Sequence, residues 1–180
     1  APVCDLDVLP ENPIVGTRSL GSDPGTVAAL AAEWIDACQS EGVLACAKHF
    51  PGHGRTSVDS HDQLPTVSAD QDTLFQTDLV PFRAAIDAGV ASIMTAHVAF
   101  PALDPGNAPA TLSREILQWL LRQQLGFDGL IVTDALIMQG VLGGRSESEV
   151  CVQALRAGCD LLLYPTDAPA VAKASDQAVA

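Results

Sequence analysis

The sequence predicts an α/β fold, a TIM-type (β/α)8 barrel that is incomplete in this chain, and three observations carry that prediction. Short apolar runs alternate with segments of helical periodicity. The runs are apolar throughout, as in a parallel sheet covered by helices. Polar residues recur just beyond them, namely Asp7, Lys48 with His49, His97 and Asp134, where parallel α/β folds place their chemistry. An open doubly wound sheet shares this logic, but no Gly-x-Gly-x-x-Gly follows a strand, which removes the main support for a dinucleotide-binding sheet. A whole barrel takes about 250 residues. The 180 residues here, with five predicted strands, are therefore expected to be one partial barrel domain, lacking its first β-α units and its end.

Taken in order, Ala1 to Val8 reads as a short strand that turns polar, followed by a Pro/Asn-rich loop to Gly21. Ser22-Asp23-Pro24 is a helix entry, a capping side chain ahead of a first-turn proline. The helix runs from about Gly25 to Ser40, with Val27, Leu30, Ala31, Trp34, Ile35 and Cys38 on one face. Gly42 to Ala47 is a buried strand, and a long loop then reaches Leu64-Pro65. Asp70-Gln71-Asp72 caps a second helix, about Leu74 to Ala88, in which Pro81 forces a kink or a fresh start and Gly89 closes the end. Val90 to Ala96 is a strand ending on His97, and Pro101 to Pro109 is a loop. Ser113 caps a third helix, Arg114 to Leu125, stopped by Gly126. The strand from Gly129 to Thr133 delivers Asp134. Residues 146–157 are helical, Asp160 to Tyr164 is one more strand, and a last helical stretch reaches Ala180.

With 48% hydrophobic residues the chain can bury a sizeable core. Its net charge of −13 repels phosphate backbones and anionic lipid, so nucleic acid and membrane surfaces are poor partners. No run approaches the about 18 apolar residues of a membrane span, and no signal peptide is visible. A cytoplasmic protein is expected, or a secreted or periplasmic one if a signal peptide has been lost upstream. The five cysteines include no Cys-x-x-Cys pair and several lie in apolar runs, so they read as reduced, inert core residues.

Chemistry concentrates in Lys48-His49-Phe50-Pro51-Gly52-His53-Gly54, continuing to Asp59-Ser60-His61. Asp59 stands two residues from His61, close enough to set its tautomer and raise its basicity, although an ordinary turn-capping aspartate fits the same spacing. Asp134 leaves a buried strand as a candidate nucleophile or base, or else as the cap of the turn that follows. Arg18, Lys48 and His49 suit an oxygen-rich ligand such as a sugar or carboxylate, though Lys48 could simply pair with an acid. His97 and Met138 are secondary site candidates. A metal set of His49, His53, Asp59 and His61 is the runner-up, since Pro51 and Gly52 deny His49 and His53 the helical spacing of a zinc pair.

These residues resemble glycoside hydrolase family 3, in its β-N-acetylhexosaminidase branch. The likeness covers Asn12-Pro13 through Pro24, the Lys48 to His61 loop, Leu125 to Leu136 and Ala157 to Asp160, nearly the whole chain. It implies a (β/α)8 barrel and a retaining exo-β-N-acetylglucosaminidase that removes terminal GlcNAc from peptidoglycan fragments or chito-oligosaccharides. Asp134 would be the nucleophile that forms a glycosyl-enzyme, and His61 on a mobile loop the general acid/base oriented by Asp59. Arg18, Lys48 and His49 would grip the sugar. The resemblance implies no cofactor and no metal, and a carbohydrate as the partner.

A histidine acid/base, unlike the second carboxylate of most retaining glycosidases, also leaves phosphate open as an acceptor. The alternatives are a family β-glucosidase or β-xylosidase, a GlcNAc phosphorylase, a non-catalytic sugar-binding barrel and a metal-dependent hydrolase. Two departures stand out. Arg55 sits where the family more often has Asp, and a sugar-contacting acid and arginine of the family precede the start of this chain. The 180-residue piece alone is therefore expected to fold poorly and to be catalytically weak.

Overall fold

The computed structural model describes residues 1–179, the side chains of 177–179 excepted. Helix α1 spans Pro24–Ser40, and the Asp23 carboxylate accepts the Thr26 N–H at its start. Strand β1 is Cys46–Phe50. A short α2, Gln71–Thr73, is capped by Asp70 and runs into a wider turn over Leu74–Asp78. There the Leu79 N–H reaches back to the Leu74 carbonyl. Helix α3, Val80–Asp87, starts afresh at Pro81, because a proline has no N–H to give and crowds the preceding turn. Strand β2 is Ser92–Thr95, a wide helix covers Glu115–Gln124 and β3 is Leu130–Ala135. Then follow α4 (Gln139–Leu142), α5 (Glu147–Ala157), β4 (Leu161–Leu163) and α6 (Ala168–Val179). Ser146 and Glu149 cap α5 reciprocally. The predicted last residue of the final helix, Ala180, lies outside the described residues.

The four strands form one parallel sheet in the order β1-β2-β3-β4. Val3 bridges in parallel to Lys48 on the free side of β1. Spatial order therefore follows chain order without the reversal that defines a doubly wound sheet. This is an arc of a (β/α)8-type barrel. The core beneath the helices holds Phe50, Ile93 and Ile131 from the strands, with Phe82, Ile116 and Leu117 from the helices. Phe50 and Phe82 meet edge to face, 5.2 Å between centroids. All five cysteines are free, and burial pushes the thiols of Cys4, Cys151 and Cys159 up, the last to about 12. Among the described residues no helix is long and apolar enough to cross a membrane.

Three expectations need correction. The first predicted strand is a bridge at Val3, not a full strand. The second begins later than expected, at Cys46, so Lys48 and His49 lie inside β1 and Val43 and Leu44 are exposed. Sequence hydrophobicity marked Val43-Leu44 as core, but the Gly42 turn, at φ +79°, precedes the sheet and leaves them outside it. On α1 the buried stripe is Val27, Ala28, Ala31 and Ile35, whereas Leu30 and Trp34 are 47% and 40% exposed. The α1 face packed against α3 is narrower than the apolar pattern, so its flank stays open.

Candidate active site

The parallel ladder brings the ends of the Val3 segment, β1, β2 and β3 side by side, and polar side chains gather there. At the centre is a carboxylate that pattern reading passed over. Asp5 is fully buried and accepts three N–H groups. Its Oδ1 takes the His53 backbone N–H at 2.7 Å and that of His49 at 3.1 Å, and its Oδ2 takes His49 Nδ1 at 2.6 Å. Desolvation alone would raise the Asp5 pKa, but the charge and hydrogen bonds of His49, and His53 beyond, hold it below the usual carboxylate value. With its Nδ1 proton given to Asp5, His49 turns Nε2 toward Asp134, 3.8 Å from Oδ2.

Asp134 is the half-buried penultimate residue of β3, and among the described residues its Oδ1 accepts only the N–H of the next one, Ala135. It does not cap the following helix, because α4 begins at Gln139 after Met138. The Ala135 contact is the local one that the capping alternative expects of the turn after β3, and the other carboxylate oxygen, Oδ2, lies 3.8 Å from His49 Nε2. His97, buried at the end of β2, braces this segment through Nε2–H to the Ala135 carbonyl at 3.1 Å. A carbonyl can only accept, so Nδ1 must accept from the Thr111 hydroxyl at 2.7 Å, and Thr111 in turn from Thr95. Burial drives the His97 pKa down to about 4, which keeps this single-proton arrangement near neutral pH. His97 thus positions Ala135 beside Asp134.

The loop after β1 is held by its own polar side chains. Asn12 donates to the His53 carbonyl and accepts the N–H groups of Ile14 and Val15. His53 bridges Thr56 and Ser60 through its two ring nitrogens, 2.7 and 3.1 Å away, and burial lowers its pKa. A Cβ on Gly54 would lie 1.9 Å from the Leu6 carbonyl oxygen, so only glycine permits the loop to cross the N-terminal segment. Arg55 pairs with the buried Asp78 at 2.8 Å and also donates to Thr77, stapling the loop to the wide turn.

Farther along, Asp59 Oδ1 accepts the His61 backbone N–H at 2.8 Å and its Nδ1 at 2.6 Å. Burial would raise the Asp59 pKa, but these His61 bonds bring it down and keep the carboxylate charged. His61 is otherwise exposed, with Nε2 free to exchange a proton. The loop carrying it is latched to the start of α4, where Gln139 N–H donates to the His61 carbonyl and Gly140 N–H to that of Ser60. A cleft of about 340 Å³ lined by His61, Ala135, Ile137, Met138 and Tyr164 opens beside it.

The structure thus brings His49, His97 and Asp134 together with Asp5, and sets Asp59 and His61 on a loop docked next to them. Met138 lies buried in the cleft wall. Arg18 is exposed and donates to the Ile14 carbonyl of its own loop, and Lys48 is half-buried on β1. Among the described residues neither makes a hydrogen bond or ion pair to the Asp134 cluster. Asp5 was legible only as an acid in an apolar strand, and nothing local marked Thr111 or Gly140. Among the described residues no three His, Cys, Asp or Glu side chains converge to hold a metal ion; His53 spends both ring nitrogens on Thr56 and Ser60, and His49 spends Nδ1 on Asp5. A carboxylate near a strand end and an exposed imidazole on the loop latched beside it are the groups that can form and break an ester-like bond at a carbon centre, with the imidazole moving the proton.

Comparison with known proteins points to one family. The profile described as "Glycosyl hydrolase family 3 N terminal domain" matches residues 1–180. The chain is 40% identical over 176 residues to "Beta-hexosaminidase A" of Pseudoalteromonas piscicida, covering 92% of this chain but 29% of that protein. It is similar to a family 3 β-N-acetylglucosaminidase structure from Paenibacillus sp. str. FPU-7 at TM-score 0.93 and 45% identity, covering 99% of this chain and 34% of the other. It is also similar to NagZ from Neisseria gonorrhoeae, solved with N-trifluoroacetyl-D-glucosamine, at TM-score 0.85 and 37% identity, covering 98% of this chain and 50% of that one.

Proposed function

Because the chain belongs to glycosyl hydrolase family 3, we propose that it carries the catalytic strand ends of a retaining exo-β-N-acetylglucosaminidase acting on peptidoglycan fragments or chito-oligosaccharides. Asp134 attacks the anomeric carbon. His61, doubly protonated, gives its Nε2 proton to the departing oxygen while Nδ1–H stays on Asp59. The C–O bond to the leaving group breaks as the Asp134 ester forms. Nε2 then takes a proton from water, which displaces Asp134 and releases the sugar with its configuration retained. His49, with Lys48 and Arg18, is the proposed grip on the sugar hydroxyls.

The single observation that carries this reading is the His61–Asp59 pair, held at 2.6 Å on a loop latched beside the Asp134 strand. The Asp59 carboxylate holds Nδ1–H and so leaves Nε2 as the nitrogen that moves a proton. Most retaining glycosidases use a second carboxylate for this step. The hexosaminidase and β-N-acetylglucosaminidase names of the relatives support the choice of sugar.

The test uses the full-length protein with p-nitrophenyl β-GlcNAc and β-glucoside, as wild type, Asp134→Ala and His61→Ala. GlcNAc release is expected to dominate, and Asp134→Ala to be inactive. His61→Ala should form the glycosyl-enzyme from an activated substrate and then stall, with added azide, which needs no base, restoring turnover. If both variants keep wild-type rates, the site has been misassigned.

A further inference from the structure

Strand β4 is followed at once by Tyr164, whose backbone is left-handed at φ +62°. Two local preferences oppose this. Bulky side chains rarely adopt positive φ, and the following Pro165 favours an extended conformation at the residue before it. Both flanks are nevertheless fixed. Leu163 N–H donates to the Thr133 hydroxyl, and the Leu163 carbonyl accepts Leu136 N–H. One turn later the Thr166 N–H and hydroxyl both donate to the Glu147 carboxylate on α5. The backbone between these anchors turns the aromatic ring outward, 67% exposed. Strained residues held this way by their surroundings cluster at ligand sites.

The exposed ring belongs to the cleft described above, together with His61, Ala135, Ile137 and Met138. That cleft lies on the leaving-group side, since His61 Nε2 must reach the departing oxygen. Its other walls are the apolar side chains of Ile137 and Met138. A pyranose presents just such a mixed surface, with C–H groups on its faces and hydroxyls at its rim. An aromatic ring buries those faces while its own hydroxyl stays in water.

Resting on the hexosaminidase reading, we propose that Tyr164, with Ile137 and Met138, forms the aglycone subsite. It receives a second pyranose ring as the leaving group by stacking, and so biases the enzyme toward sugar-linked over small-alkyl GlcNAc. Tyr164 is here a specificity determinant. It takes no part in bond breaking.

The experiment compares wild type, Tyr164→Phe and Tyr164→Ala in the full-length protein, following GlcNAc release from N,N′-diacetylchitobiose and from methyl β-GlcNAc. Free GlcNAc serves as an inhibitor that reports on the sugar pocket alone. Tyr164→Ala is expected to lower kcat/KM for the disaccharide about two- to tenfold, mostly through KM. Methyl β-GlcNAc hydrolysis and GlcNAc inhibition should not change, and Tyr164→Phe should stay near wild type. An equal loss on both substrates means that Tyr164 only supports the fold, and no loss on either means that the ring touches no ligand. Either result overturns the proposal while the functional reading stands. Wild-type protein that leaves both glycosides intact, or Asp134→Ala that still cleaves them, overturns the functional reading and the subsite with it.

Discussion

In an Asp5→Asn variant the side chain keeps its shape but loses its charge and one acceptor oxygen. If the new amide oxygen takes the place of Oδ1, it still accepts the backbone N–H groups of His49 and His53. The amide NH₂ then faces His49 Nδ1, where Oδ2 stood at 2.6 Å. Two donors cannot share that contact, so the His49 ring must move its proton to Nε2, the nitrogen 3.8 Å from Asp134 Oδ2. No buried group is left without a partner, and the stability lost is the difference between charge-assisted and neutral hydrogen bonds, about 1–2 kcal/mol. Asp5→Ala instead strands three buried N–H groups and is expected to cost about 3–5 kcal/mol. The catalytic effect of Asp5→Asn should exceed its stability effect. A proton donor aimed at the nucleophile blunts its attack, and kcat is expected to fall about tenfold to a hundredfold. Urea unfolding midpoints give the first quantity, steady-state hydrolysis of p-nitrophenyl β-GlcNAc the second, and ¹⁵N chemical shifts of the His49 ring the tautomer. Lost stability with unchanged kcat would refute the link from Asp5 through His49 to Asp134. An Asp5→Ala protein as stable as wild type would refute the buried anchor itself.

Two further outcomes follow from the same geometry. A Cβ on Gly140 would sit 2.6 Å from the Ser60 carbonyl oxygen and 3.1 Å from that of Gln63, both backbone atoms. Gly140→Ala should therefore lift the His61 loop, cutting hydrolysis of alkyl GlcNAc glycosides about tenfold or more. Cleavage of the 2,4-dinitrophenyl glycoside, whose leaving group needs no proton, should suffer far less in a single-turnover assay. A uniform loss would show that the latch does not place the acid. His97 binds its second proton at about 4 when folded, against an ordinary value of 6.5. Between those values the unfolded chain holds a proton that the folded chain lacks, so stability is full above pH 6.5 and falls as pH drops toward 4. The gap corresponds to about 3 kcal/mol. His97→Gln, which can still bond Ala135 and Thr111, should flatten that decline in urea titrations at pH 7 and 4.5, leaving a smaller slope from His53.

Much of this molecule is readable from local pattern. Asp23-Pro24 at the start of α1, the restart at Pro81 and the capping pair Ser146 and Glu149 are decided by groups a few residues apart, because a helix satisfies its first donors from nearby side chains. Asp59 and His61 meet for the same reason, across a single intervening residue. Asp134 could be placed at a strand end because apolar runs mark buried strands.

Other features had to wait for the sheet. Asp5 and His49 are separated by 44 residues, and only the parallel bridge of Val3 to Lys48 sets one beside the other. Val43 and Leu44 look like core, yet the ladder begins at Cys46, since register depends on the partner strand. Leu30 and Trp34 extend the apolar stripe of α1 beyond the face that α3 covers. Gly140 and Tyr164 carry no local signal for their tasks. One is small because Ser60 crosses it, and the other is turned outward because Thr133 and Glu147 fix the chain on either side. Contacts between distant segments form only once the backbone has folded, so their meaning lies in the tertiary structure and not in the spacing of residues along the chain.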